Sequence, residues 1–122
     1  MKKQIEQVKE FNKVFGVKDV SLDLRYDMIY EELSEYYLAG DKIEEADAIG
    51  DMLYLLFGAV IDAGLEDKIE PILDEIHRSN MSKIEWMPDG DVLKAVVLRR
   101  ADGKIQKGKN YFKPNIEQIL NK

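Results

Sequence analysis

The sequence contains no cysteine and a single histidine, His77, among its 122 residues. The absence of thiols excludes disulfide bonds, thiolate zinc sites, iron–sulfur clusters and cysteine nucleophiles. One imidazole is too few for a multi-histidine metal site within one chain. A metal site in this chain therefore has to rely mainly on oxygen ligands.

Long hydrophobic runs are missing as well. The longest uncharged apolar stretch, residues 52–61, has ten residues, which is about half of what a membrane span needs. The N-terminus carries lysines with no apolar run behind them, so no signal peptide is expected. The sequence predicts one soluble, cytoplasmic domain over residues 1–122 that does not bind a membrane.

Charge is unevenly distributed within a net charge of −6. Residues 1–80 carry nine basic and 19 acidic side chains, whereas residues 81–122 carry nine basic and five acidic ones. The acidic part argues against nucleic-acid binding, which depends on clustered lysines and arginines. The basic end is suited to a small polyanion.

Periodic apolar residues predict four helices, approximately over residues 2–15, 22–39, 42–63 and 65–80. Ser21 and Asp41 are typical N-cap residues, and Gly16 is a typical helix end. After residue 83, two turn signatures flank residues 92–98, which are predicted as a strand or extended arm with a possible hairpin. A short helix is expected over residues 116–120. The predicted fold class is all-α, with a four-helix core (residues 1–83) and an extended basic C-terminal arm (residues 84–122).

An isolated acid marks the third predicted helix. From Ala48 to Ile61 this helix is apolar on every side apart from Asp51, which predicts a helix buried all round. A buried carboxylate is normally paired with a cation, hydrogen-bonded or bound to metal. Asp47 lies one turn earlier on the same face of the helix.

Three further carboxylates, Glu31, Glu32 and Glu35, lie within one turn of the second predicted helix. If the second and third helices face each other, these acids share a space with Asp47 and Asp51. Oxygen ligands without histidine or cysteine select Mg²⁺, Mn²⁺ or Ca²⁺. A solvated acidic helix face remains the alternative.

Two acidic motifs resemble those of the all-α NTP pyrophosphatase superfamily, which includes MazG-like proteins and phosphoribosyl-ATP pyrophosphohydrolases. That superfamily holds Mg²⁺ with Glu-Glu-x-x-Glu on one helix and Glu-x-x-Asp on the next. Residues 31–35 match the first motif in full, and Asp51 matches the end of the second. Ala48 stands where the second motif has glutamate, and the nearest acid is Asp47.

Other segments resemble the phosphoribosyl-ATP pyrophosphohydrolase branch in order along the chain, namely residues 11–16, 54–58, 77–83 and 103–114. That branch tends to carry a histidine where this chain has Leu55. The resemblance therefore implies a MazG-like fold and favours a nucleoside triphosphate over the histidine-biosynthesis substrate.

The resemblance implies a Mg²⁺-dependent pyrophosphohydrolase, with Mn²⁺ as a substitute, that cleaves nucleoside triphosphates between the α- and β-phosphates. Glu32, Glu35, Asp47 and Asp51 are the expected metal ligands, and Glu31 or Glu32 is expected to deprotonate the attacking water. The predicted catalytic set is Glu31, Glu32, Glu35 and Asp51. The predicted substrate-binding residues are Asn12, Arg25, Asn80, Lys83, Lys107, Lys109, Asn110 and Tyr111.

A homodimer or a dimer of dimers is expected, because four short helices cannot cover so much apolar surface. Two alternatives remain open at this point. One is a non-catalytic helical interaction module whose acidic stripes meet a basic partner. The other is a phosphoribosyl-ATP pyrophosphohydrolase.

Overall fold

The computed structural model describes all 122 residues, which form five helices and one two-stranded antiparallel sheet. None of the helices is both long and apolar enough to span a bilayer. The elements are α1 (Lys2–Phe15), α2 (Leu22–Leu38), α3 (Lys42–Asp62), α4 (Ile69–Met81), β1 (Glu85–Asp89), β2 (Val92–Val96) and α5 (Ile116–Leu120).

The chain divides into two compact units, Met1–Asp67 and Lys68–Lys122. The first contains α1 to α3, and the second contains α4, the sheet and α5. The largely helical class agrees with the prediction. Because α4 is grouped with the C-terminal segment, the four-helix core over residues 1–83 and the single domain over residues 1–122 stay predictions.

The helix ends follow local chemistry that the sequence displays. The Ser21 hydroxyl accepts a hydrogen bond from the Leu24 N–H at 3.0 Å, which caps α2. Asp41 caps α3 in the same way, because its Oδ1 accepts from the Glu44 N–H at 2.8 Å. Gly16 ends α1 at a φ of 65°, a left-handed conformation that favours glycine.

Helix α4 begins at Ile69, four residues later than predicted. Gly64 has a φ of 68°, and residues 66–68 form a turn before the helix starts. Pro71 is then the third residue of α4, where a missing N–H leaves no intrahelical bond unmade. Pro71 therefore lies in the first helical turn of α4, which starts directly after the loop at residues 66–68.

Helix α3 packs against both α1 and α2 in the N-terminal unit. Ile5 and Val8 of α1 and Ala48 of α3 are buried there. The side of α3 away from these neighbours exposes apolar residues, including Leu53 at 49%. The prediction that α3 is buried all round is therefore wrong for this chain, since two partner helices cover only part of its circumference.

A buried arginine joins α2 to α3. The Arg25 guanidinium donates to Asp62 Oδ2 through Nε at 2.8 Å and lies 2.7 Å from it through Nη2. A Cβ at Gly58 would lie 2.6 Å from Arg25 Nη1, so the glycine makes room for the guanidinium. Arg25 near the start of α2 thus meets the end of α3, which fixes these two helices as an antiparallel pair.

Strands β1 and β2 form a hairpin in which Asp89 pairs with Val92 across a two-residue loop. Gly90, the first loop residue, has a φ of 64°, as the first central position of a type II′ turn requires. The predicted strand over residues 92–98 is present but ends at Val96.

The basic C-terminal arm is attached to α4 by hydrogen bonds at Phe112. The Ser79 hydroxyl donates to the Phe112 carbonyl at 2.7 Å, and the Phe112 N–H donates to Ser82 Oγ at 3.1 Å. The Arg78 guanidinium lies 4.3 Å from the centre of the Phe112 ring. This part of the arm is therefore a packed element of the C-terminal unit.

The ion pair between α2 and α3 can be tested by removing its acid. Asp62→Ala is expected to lower the free energy of unfolding by about 1–3 kcal/mol, because it leaves a buried guanidinium without its partner. Urea denaturation followed by circular dichroism measures the change. The control is Asp27→Ala at an exposed position of α2, expected to stay within about 0.5 kcal/mol of wild type. Equal effects of the two substitutions would contradict the role given to Asp62.

Candidate metal and active site

Three carboxylates meet between α2 and α3. Glu32 and Glu35 lie three residues apart, and therefore on one face of α2, while Asp51 lies on α3. One carboxylate oxygen from each of the three residues lies within 4.8 Å of those of the other two. The structure thus brings together three of the four predicted metal ligands.

Glu32 has the most perturbed environment of the three. Its Oε2 atom is buried and has no hydrogen-bond partner. The pKa of Glu32 is raised from 4.5 to about 7. Burial is the largest cause, the hydrogen bond and the charge of Glu35 come next, and the charges of Asp51 and Asp47 follow. Each neighbour named here is an acid, so no cation compensates this carboxylate.

The donor set fits a hard divalent cation. Three carboxylates without histidine or cysteine suit Mg²⁺ or Mn²⁺ rather than a softer metal. A cation between them would supply the missing partner of Glu32 Oε2 and remove the repulsion among the three acids. Glu32, Glu35 and Asp51 are the residues that would hold it.

Asp47 lies beside this cluster. Its charge contributes to the raised pKa of Glu32, but it is not one of the three residues whose oxygens meet. Glu35 and Asp47 line a cavity of about 320 Å³ together with Ser34, Leu38 and Glu44. The role of Asp47 as a fourth ligand stays a prediction.

Two neighbours of Asp47 have structural roles. Glu44 Oε2 accepts a hydrogen bond from the Gly40 N–H at 2.8 Å, so this acid supports the start of α3. Ala48, at the position where the related motif has glutamate, is only 1% exposed and packs inside the helical unit. The missing glutamate has therefore been replaced by a core residue.

The predicted burial of Asp51 is wrong, because this residue is exposed. One of its oxygens lies within 4.8 Å of an oxygen of Glu32 and of Glu35 on α2, but the residue stays accessible to solvent. The least exposed acid of the cluster is Glu32, which is half-buried and has one buried oxygen, and one sequence signal could have shown this. Glu32 follows the buried Arg25 by seven residues, which is about two helical turns, so both residues lie on the side of α2 that faces α3.

The remaining N-terminal candidates have partners or stay apart from the cluster. Glu31 is exposed and is not one of the three clustered acids. The carbonyl of the half-buried Asn12 accepts hydrogen bonds from the N–H groups of Gly16 and Val17. Arg25 is engaged by Asp62. The functional roles of Glu31, Asn12 and Arg25 stay predictions.

The C-terminal candidates lie on α4 and on the arm. Asn80 and Asn110 are exposed, and Lys83 is half-buried. The Lys107 ammonium lies 4.8 Å from the centre of the Tyr111 ring, and the Lys109 N–H donates to Glu85 Oε1 at 2.7 Å. Their contacts with substrate stay predictions.

A family model described as phosphoribosyl-ATP pyrophosphohydrolase matches residues 1–80, more than half of the chain. The protein therefore belongs to the phosphoribosyl-ATP pyrophosphohydrolase family, part of the MazG-like all-α NTP pyrophosphatase superfamily. Its family consists of pyrophosphohydrolases, hydrolases of acid anhydrides. No curated protein and no solved structure matches the chain.

The matched region includes all three clustered carboxylates and ends one residue before the end of α4. The hairpin and the basic arm lie outside it. Family membership therefore bears on the acidic cluster of the N-terminal unit and leaves the arm to be argued from its own contacts.

The raised pKa of Glu32 predicts a pH-dependent stability of the metal-free protein. A pKa raised from 4.5 to about 7 means that the folded state binds this proton more tightly than the unfolded state. The resulting stabilisation is fully present below about pH 4.5 and is lost as the pH rises through 7. Glutamine stays neutral, so Glu32→Gln is expected to gain melting temperature relative to wild type between pH 5 and pH 8 in EDTA.

Thermal melts of both proteins across this range measure the difference. Glu31→Gln removes a neighbouring exposed carboxylate by the same substitution, and its difference from wild type is expected to vary less with pH. A Glu32→Gln difference that is constant with pH, or that shrinks as the pH rises, would contradict the assignment.

Proposed function

We propose that this protein is a Mg²⁺-dependent nucleoside triphosphate pyrophosphohydrolase, which cleaves between the α- and β-phosphates to give a nucleoside monophosphate and pyrophosphate. One observation carries the proposal. Glu32, Glu35 and Asp51 converge within 4.8 Å, and Glu32 retains a buried oxygen without a partner. This cluster lies inside the region that matches a pyrophosphohydrolase family.

The acidic residues have two different roles in the proposed reaction, metal binding and activation of water. Glu32, Glu35 and Asp51 would hold Mg²⁺ or Mn²⁺, with Asp47 as a further ligand beside them. The cation would neutralise phosphate oxygens as negative charge moves to the leaving pyrophosphate. A carboxylate, Glu31 or Glu32, orients the water and accepts its proton as the water oxygen attacks the α-phosphorus. We favour Glu31, because Glu32 is needed as a ligand.

The two candidate substrates differ in what supports them. Phosphoribosyl-ATP is supported by the description of the matching family. A nucleoside triphosphate is supported by Leu55, which stands where phosphoribosyl-ATP pyrophosphohydrolases tend to carry a histidine. Both substrates present the same α–β phosphoanhydride bond to the carboxylates. A cytoplasmic location stays a prediction from the sequence, which shows no signal peptide and no apolar run long enough to span a membrane.

A substrate panel tests the function. Pyrophosphate release is measured with canonical and modified nucleoside triphosphates, their deoxy forms and phosphoribosyl-ATP, each with Mg²⁺ and with EDTA. We expect release from at least one nucleotide with Mg²⁺ and none in EDTA. Asp51→Asn is expected to abolish release while the protein stays folded, because it removes a ligand charge.

The matched control is Asp41→Asn at the N-cap of the same helix, where the cap is kept because asparagine also caps helices. Its activity is expected to stay close to that of wild type. If no nucleotide of the panel releases pyrophosphate, the non-catalytic interaction module is favoured. Full activity of Asp51→Asn would contradict the proposed metal site.

We further propose that Asn80, Lys83, Lys107, Lys109, Asn110 and Tyr111 bind the substrate. Ammonium groups bind phosphate oxygens through charge-assisted hydrogen bonds, each worth about 1.5–3 kcal/mol. Lys107→Ala combined with Lys109→Ala is therefore expected to lower kcat/KM more than tenfold. Steady-state kinetics measure this, while Mg²⁺ affinity and oligomer size should not change. An unchanged kcat/KM would show that the arm is structural only.

We also propose that the protein is a homodimer or a dimer of dimers. Helix α2 exposes several large apolar side chains, including Leu22 at 89% and Tyr37 at 85%. A second copy would cover such a surface, which is more extensive than isolated exposed residues. Sedimentation velocity at micromolar concentration is expected to show a species larger than 14.1 kDa. A monomer throughout would contradict self-association.

A further inference from the structure

The C-terminal unit contains a cleft that is lined by cations and by no carboxylate. Its volume is about 500 Å³, and its charged lining residues are Lys83, Arg100, Lys104 and Lys107. Two aliphatic side chains and a glutamine complete the lining. All of these residues lie beyond residue 80, outside the region that matches the family.

The loop that carries two of these cations is held by its own hydrogen bonds. The Arg100 N–H donates to the Lys104 carbonyl at 2.8 Å, and the Gln106 N–H donates to the Leu98 carbonyl at 2.8 Å. Asp102 accepts from the Arg100 guanidinium and, at 3.1 Å, from the Lys104 N–H. This side of the cleft is therefore a defined turn.

The positive charge of the cleft is only partly compensated. Arg100 forms an ion pair with Asp102. Lys83, Lys104 and Lys107 form no ion pair, and Lys107 lies over the ring of Tyr111. Like charges that line one cleft repel each other, and an anion among them would relieve this repulsion.

We propose that this cleft binds an oligophosphate, and that it does so without a divalent cation. Three unpaired ammonium groups match an anion that carries several negative charges along a short chain, whereas a single carboxylate would compensate only one of them. Lysine binds phosphate as a compact point charge with rotatable donors. A volume of about 500 Å³ lies within the range of small-molecule sites. Lys83 and Lys107 belong to the substrate-binding set proposed above, and the cleft adds Arg100 and Lys104 to them. Binding in the absence of a divalent cation does not depend on hydrolysis by the acidic cluster.

Calorimetric titration of the full-length protein with tripolyphosphate in EDTA tests the site. EDTA prevents metal-mediated binding at Glu32, Glu35 and Asp51. We expect saturable binding by wild type and at least a tenfold weaker affinity for Lys83→Gln combined with Lys104→Gln. Neither of these side chains makes a hydrogen bond or an ion pair within the chain, so the variant should fold, as thermal melts verify.

The matched control is Lys94→Gln combined with Lys113→Gln. It removes the same charge from the same unit at two exposed lysines that do not line the cleft, and its affinity should change by less than a factor of two. No binding by wild type, or an equal loss in both double variants, would overturn the proposal. Equal losses would mean that net charge alone attracts the anion.

A second titration identifies the source of the phosphate chain. A non-hydrolysable nucleoside triphosphate replaces tripolyphosphate in the same buffer. If Lys83→Gln combined with Lys104→Gln weakens the binding of both ligands, the cleft binds the phosphate chain of a nucleotide. If the double substitution weakens the binding of tripolyphosphate alone, the cleft is specific for the free anion. The protein could bind tripolyphosphate and yet be inactive across the substrate panel. That result would refute the proposed hydrolysis but would still support the oligophosphate site.

Discussion

The contact between Arg25 and Asp62 is the interaction on which the helical unit depends. It lies where the start of α2 meets the end of α3, and it is the attractive part of a helix pair whose charges otherwise repel. Towards the opposite end, Glu32 and Glu35 of α2 come close to Asp51 of α3. The buried ion pair can therefore hold in register two helices that the acidic cluster pushes apart.

Partial protonation of Glu32 also limits the repulsion within the acidic cluster. A carboxylate with a pKa of about 7 is protonated in part of the molecules near neutral pH, which reduces the repulsion inside the cluster. The remaining repulsion is a cost to the stability of the helix pair, which a cation bound as proposed above would relieve. Relief of that cost would add to the affinity for the metal.

Much of the helical architecture could be predicted from the sequence, because caps and periodicity are local. Ser21, Asp41 and Gly16 mark helix ends by their own side-chain or backbone chemistry. The burial of single residues could not be predicted in the same way. A run of apolar residues does not show how many helices pack around it, so it predicts a buried Asp51 where the structure has an exposed one. The attachment of the arm to α4 could not be predicted from the sequence either, because hydrogen bonds between a serine hydroxyl and a distant backbone group leave no sequence pattern.

Substitution of two glycines of α3, Gly50 and Gly58, is expected to have opposite effects on the stability of this protein. Replacing a helical glycine with alanine ordinarily stabilises a helix by about 1 kcal/mol, since alanine loses less backbone freedom on folding. At Gly50 an added methyl group meets nothing within 4 Å, so this gain is available there. At Gly58 the same methyl group would displace the Arg25 guanidinium from its position against α3. Directed stabilisation of this fold should therefore begin at Gly50 and leave Gly58 untouched.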